Sequence, residues 1–130
     1  MQGRAMALRK AIFVIPYATN EVIADTSAHI YRGMGGTASF NVKGFKTLSV
    51  DIYNTHDQAA TVTISGGRRG SPAATAGRIG DRVNVAATSG AETRIIDVDE
   101  TYIEVLYITV QFAIAPTSGN IDIYVHGVLR

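Results

Sequence analysis

Residues 102–130 read YIEVLYITVQFAIAPTSGNIDIYVHGVLR. Within NIDIYVHG, at 120–127, Ile121, Ile123 and Val125 alternate with Asp122, Tyr124 and His126. Alternation at every second residue places the two sets on opposite faces of a β-strand. One dry face and one wet face is the pattern of an antiparallel sheet covered on one side. The pattern runs to within a residue or two of the last position. The loop APTSGN before it, with Pro116 and Gly119, reads as a hairpin between the last two strands.

The strand upstream of that loop carries a conflict. Ile103 and Val105 are apolar on odd positions. Leu106, Ile108, Val110, Phe112 and Ile114 are apolar on even ones. A β-bulge at Val105–Leu106 is expected, since it would turn both sets to the core. The alternative is a strand buried on both faces near its start, under the core on one side and under a neighbouring subunit on the other.

The same period recurs upstream. TASFNVK (37–43) puts Ala38, Phe40 and Val42 on one face. KTLSVDIYN (46–54) turns Leu48, Val50 and Ile52 inward and Thr47, Ser49, Asp51 and Tyr53 outward. ATVTISG (60–66) buries Val62 and Ile64. AIFVI (11–15), EVIA (21–24), AHIYR (28–32), RVNVAA (82–87) and TRIIDV (93–98) are the remaining expected strands. NTHDQ (54–58) joins two strong strands and reads as a second hairpin. No helix is required. Residues 65–82, SGGRRGSPAATAGRIGDR, lack strand pattern and form a long Gly- and Arg-rich loop inside one domain. The expected fold is all-β: an antiparallel β-sandwich of about eight strands, jelly-roll in topology, over a single domain 1–130 with an N-terminal arm at 1–10.

Composition narrows the function. Twelve Lys and Arg against eleven Asp and Glu leave a net charge of +1, without the basic excess of a dedicated nucleic-acid binder. No Cys is present, which excludes disulfides and thiolate metal sites. No stretch approaches the ~20 apolar residues of a membrane span. The apolar run Ala11–Ile15 is shorter than the core of a signal peptide and reads as an arm leading into the first strand. Charged residues make up only 18%, fewer than a surface built for solubility alone would carry. The wet faces are Thr, Ser, Asn and Tyr, which are inexpensive to desolvate against a protein neighbour.

No catalytic constellation emerges. His29, His56 and His126 lie on separate segments without metal-ligand spacing, and each reads as a surface histidine. Asp97, Asp99 and Glu100 cluster in DVDE, but no calcium-loop pattern surrounds them, so a solvated turn is expected. Asp51 and Asp122 share outward phases with nothing to show that they converge. SGGRRGSP has glycines but lacks a P-loop pattern and a following helix. No catalytic, cofactor or metal residue is therefore assigned. The candidate contact residues are Arg68, Arg69, Arg78 and Arg82, suited to an acidic partner surface, with Tyr53 and Tyr124 on outward phases.

GTASFNVKGFKTLSVDIYNTHDQAATVTISGG (36–67) followed by the C-terminal stretch resembles small β-sandwich structural proteins of tailed phages, closest to capsid decoration or cement proteins. The resemblance is one of pattern over half of the chain and carries over no individual residue. It implies a non-enzymatic protein that self-associates, as a cyclic homo-oligomer, and binds a major capsid or other virion protein. It also implies a place in the virion after assembly in the host cytoplasm, with neither nucleic acid nor membrane as partner. The rival readings are a carbohydrate- or host-surface-binding module and an enzyme on a small sandwich or cupin-like barrel.

Overall fold

A computed structural model describes residues 12–33, 41–68 and 76–130. Two antiparallel sheets pack face to face. Their strands in chain order are β1 (Ile12–Glu21), β2 (His29–Tyr31), β3 (Phe45–Asn54), β4 (Ala60–Gly67), β5 (Gly77–Arg78), β6 (Val83–Val85), β7 (Gly90–Asp97), β8 (Val105–Phe112) and β9 (Ile121–Leu129). A single helical turn, α1 (Val98–Thr101), links β7 to β8. One sheet has the order β1-β9-β3-β7. The other has β2-β8-β4, with β5 and β6 both paired to the free side of β4. β5 meets β4 at Ser65–Gly66 and β6 meets it at Ala60–Val62, so the two short pieces act as one interrupted edge strand.

The inward set is the one the alternation marks. Leu48, Val50 and Ile52 of β3 and Ile121, Ile123 and Val125 of β9 face Val62 and Ile64 of β4 and Ile108, Val110 and Phe112 of β8. Each such side chain, fully removed from water, contributes about 1.5–3 kcal/mol. β9 lies between β1 and β3, and this central place explains why the last strand is so apolar on one face. β1 is an edge strand. That is why Pro16, which cannot donate to a ladder, is tolerated there beside a register shift between Pro16 and Ala18. The buried Tyr17 hydroxyl donates to Leu106 O at 3.1 Å, tying this edge to the opposite sheet, and burial raises its pKa further above the ordinary tyrosine value.

Several expectations are corrected. Neither NTHDQ nor APTSGN is a hairpin: β3 and β4 lie in different sheets, as do β8 and β9. A short polar loop can bridge two sheets ~10 Å apart as readily as it can join neighbours in one. There is also no bulge at Val105–Leu106. β8 pairs with β4 in unbroken register from Ala60↔Phe112 to Gly67↔Val105. Val105, Leu106, Tyr107 and Ile108 are instead all buried, so the start of β8 is covered on both faces. Part of the outer cover comes from this same chain: Asn41 bridges to Val105, and the Arg32 guanidinium lies 6.0 Å from the Tyr107 ring centre.

EVIA contributes only Glu21 to a strand; beyond it Val22 is exposed while Ile23 plugs the core. DVDE forms α1 in place of an irregular turn. Asp97 caps it by accepting from Glu100 N at 3.1 Å, and Asp99 and Glu100 sit at its positive end. Of TASFNVK, only Asn41–Lys43 fall within the described residues, where Val42 is buried beneath the chain. The proposed arm at 1–10 lies outside them. Of the 65–82 stretch, Ser65–Gly67 complete β4 and Gly77–Arg78 fold back on it as β5.

Candidate interaction surfaces

The register of the four-stranded sheet fixes the rows on its outer face. Val14, His126, Ser49 and Ile95 form one row. Pro16, Tyr124, Asp51 and Thr93 form the next, and Asp122, Tyr53 and Ala91 follow. Apolar groups sit at both edges, with Val14 and Ile95 well exposed, Ile95 at 67%. The centre is polar and already partnered. Asp51 accepts from Thr93 Oγ1 at 2.9 Å and from Ser49 Oγ at 3.4 Å, and its Oδ2 lies 2.7 Å from His126 Nδ1. Asp122 accepts from Asn20 N at 2.7 Å. Asp51 and Asp122 thus share a face, each held by other groups.

Tyr53 and Tyr124 fall on this face in adjacent strands, diagonal to one another, with Tyr53 48% exposed. Diagonal neighbours stand about 7–8 Å apart, within reach of aromatic side chains.

The arginines lie elsewhere. Arg78 stands opposite Ser65 on the outer face of the five-stranded sheet, and Arg82 is exposed beside the same edge. Arg32 approaches that face from its other edge, over Tyr107. Between them the outward positions are Thr61, Thr63, Ser65 and Thr109. Arg68 is at the end of β4 and lines a cleft of about 350 Å³ with Lys43, Asp99, Tyr102, Glu104 and Arg130. Lys43 pairs with Glu104 at 3.8 Å, and Arg130 pairs with Asp99. Arg69 lies outside the described residues. The five candidates among the described residues therefore fall on three surfaces rather than one site.

The histidines depart most from expectation. His56 is fully buried, not a surface residue. Its Nε2 accepts from Ile23 N at 3.1 Å, so the proton sits on Nδ1, which donates to Asn54 Oδ1 at 3.0 Å. Asn54 Oδ1 also accepts from His56 N, and its Nδ2 donates to Gln58 O at 3.0 Å and Ala86 O at 3.1 Å. The imidazole packs edge-on to Phe112, ring centres 4.8 Å apart. Burial lowers its pKa from the ordinary 6.5, in keeping with a neutral ring. This pair ties the turns after β1, β3 and β6 together at one end of the sandwich. His29 pairs with Asp25 at 2.7 Å, which holds that carboxyl below its ordinary pKa. No group of three or more His, Asp or Glu placed to hold a metal occurs among the described residues.

Three contributors escaped the sequence reading: Arg32, Ile95 and the Asn54–His56 pair. Only Ile95 left a signal. In the doublet Ile95–Ile96 one side chain must point outward.

No protein-family model matches the chain, and no curated protein matches it in sequence. Solved structures do match in fold. The Tobacco streak virus coat protein superposes with a TM-score of 0.50 over 92% of this chain and 86% of its own, at 11% identity. The SPBc2 prophage-derived protein YomS gives 0.53 over 92% and 95%, at 9% identity. VP2 of infectious bursal disease virus gives 0.54 over 95% of this chain and 33% of its own, at 13% identity. The chain thus has the β-sandwich fold found in viral coat and phage-derived proteins.

Proposed function

We propose that the protein is a non-enzymatic virion structural protein: a phage capsid decoration or cement protein that self-associates and binds the assembled shell through a major capsid or other virion protein. One observation carries this reading. Both sheets present broad, sparsely charged outer faces: the central carboxylates of the four-stranded one are already hydrogen-bonded within the chain, and the outward positions of the five-stranded one are mostly threonine and serine, so covering them with a neighbour costs little desolvation. The strand order supports it. β1-β9-β3-β7 against β2-β8-β4-β5, with the chain changing sheet at most connections, is consistent with the winding of a jelly roll, an architecture used in capsid domains. The likeness to the coat protein of Tobacco streak virus adds to the same side. The test is immunogold labelling of virions from the virus that encodes the chain. Label on the particle surface is expected. Protein found only in the soluble fraction of the lysate overturns the reading.

A carbohydrate- or host-surface-binding role draws its support from Tyr53 and Tyr124 on one open face. Glycan-array binding that is lost in Tyr53→Ala would favour it.

A further inference from the structure

The central rows of the four-stranded outer face are acidic, and the edges of the five-stranded outer face carry arginines. On the five-stranded face, Arg78 and Arg82 stand at one edge and Arg32 at the other. None of the three has a carboxylate within ion-pairing distance among the described residues, which contain all eleven carboxylates of the chain. On the four-stranded face, Asp51 and Asp122 occupy central rows; the exposed cations of this sheet lie away from them, Lys46 at the register shift near the start of β3 and Arg94 on edge strand β7 at the inward phase opposite Val50. Each face also offers apolar contact: Val14, Tyr53 and Ile95 on the acidic one, Ile30 on the basic one.

We propose that the four-stranded face of one copy packs on the five-stranded face of the next, a head-to-tail contact between copies of this chain. The inference rests on the self-association reading above and names its geometry. A face-to-face contact of one acidic surface with its own copy would oppose Asp51 and Asp122 to themselves. The head-to-tail arrangement sets carboxylates against arginines and removes that repulsion. Four strands ~4.8 Å apart and four rows ~6.8 Å apart, the three described above and the row of Val128, Thr47 and Asp97, give a face of roughly 500 Å², or about 1,000 Å² for the two partners together. That is at the lower bound for a specific interface. The contact is therefore of moderate strength and weakens as salt screens it. Such a contact is heterologous. It closes into a ring if the rotation between copies permits, and otherwise continues as a filament.

The experiment uses sedimentation velocity on the wild type and two double variants, with circular dichroism to establish that each is folded. Arg78→Ala with Arg82→Ala removes the cations from one edge of the basic face and leaves the acidic one intact. Tyr53→Arg with Ile95→Arg does the reverse. All four side chains are exposed, so folding is expected to survive. Each variant alone is expected to lose self-association by about tenfold or more in Kd. Mixed one to one, the two variants are expected to form a two-copy species and nothing larger, because one sound interface remains per pair. Association that persists in either variant alone, or a mixture that stays monomeric while the wild type assembles, overturns the head-to-tail contact and leaves self-association standing. A wild type that remains monomeric at high micromolar concentration overturns both.

Discussion

At one end of the sandwich Asn54 and His56 are buried and tie three turns together; at the other, Lys43, Glu104, Asp99 and Arg130 pair in water around an open cleft. Both ends are polar, but the groups at the two ends do not matter equally. A buried amide that meets every donor and acceptor near it cannot be removed without leaving those partners orphaned in a dry site. An exposed ion pair loses little when one member is removed, since water replaces it. The difference teaches that burial, more than charge, decides what a polar group is worth here.

The largest expected effect comes from breaking the buried end. Asn54→Ala strands Gln58 O, Ala86 O and the two His56 donors, and is expected to cost about 3–5 kcal/mol in urea unfolding. A loss under 1 kcal/mol would show that water replaces the amide and that the two ends are alike. Gly119 is next. It has φ of +90° and sits against Thr55 O and the His56 backbone, where a Cβ has no room. Gly119→Ala is expected to destabilise by about 2 kcal/mol, read as a fall in Tm, through both strain and contact.

The third test is pH. The His56 pKa is lower folded than unfolded, so between those two values the unfolded chain holds more protons and stability falls as pH falls. The decline begins near pH 6.5, the ordinary histidine value, and continues down to the folded pKa, with a slope no steeper than about 1.4 kcal/mol per pH unit for one proton. Asp25 and Asp57 also have lowered pKa values, but their contributions are lost only below about pH 3.8. Urea midpoints between pH 4.5 and 7 carry this contribution, and the share of the slope that belongs to His56 is the share lost in His56→Gln. The smallest effect is expected at the open end. Arg130→Ala removes a half-exposed partner of Asp99 and should cost less than about 1 kcal/mol, with the difference shrinking further in high salt. A larger loss would make the cleft a structural lock like the opposite end.

How far the sequence could be read follows the same division. Leu48, Val50, Ile52, Ile121, Ile123 and Val125 were legible as inward because the alternation of a strand is local and needs no knowledge of its neighbours. NTHDQ and APTSGN were legible as turns but not as sheet-to-sheet crossings, because a turn residue reports a reversal and not which strand receives the chain. His56 looked like a loop histidine because the groups that enclose it and its partner Asn54, namely Ile23, Phe112 and Ala86, lie between 30 and 56 positions away in no shared pattern. Of the candidate contacts, Tyr53 and Tyr124 were placed on one outer face as their phases required. The arginines were recognisable as exposed cations, while their division between an outer face and a cleft depended on how β4, β5 and the chain end meet.

The sequence by itself determined a two-faced β chain with a sizeable apolar core, since period-two alternation sets what each strand hides. Only the tertiary structure decided which strands lie side by side, why the start of β8 is dry on both sides, and that the acidic central rows and the arginine-bearing edges stand on opposite sheets. The reason is physical: the pleat acts between adjacent residues, whereas burial and charge balance are summed over neighbours that the chain brings together from far along its length.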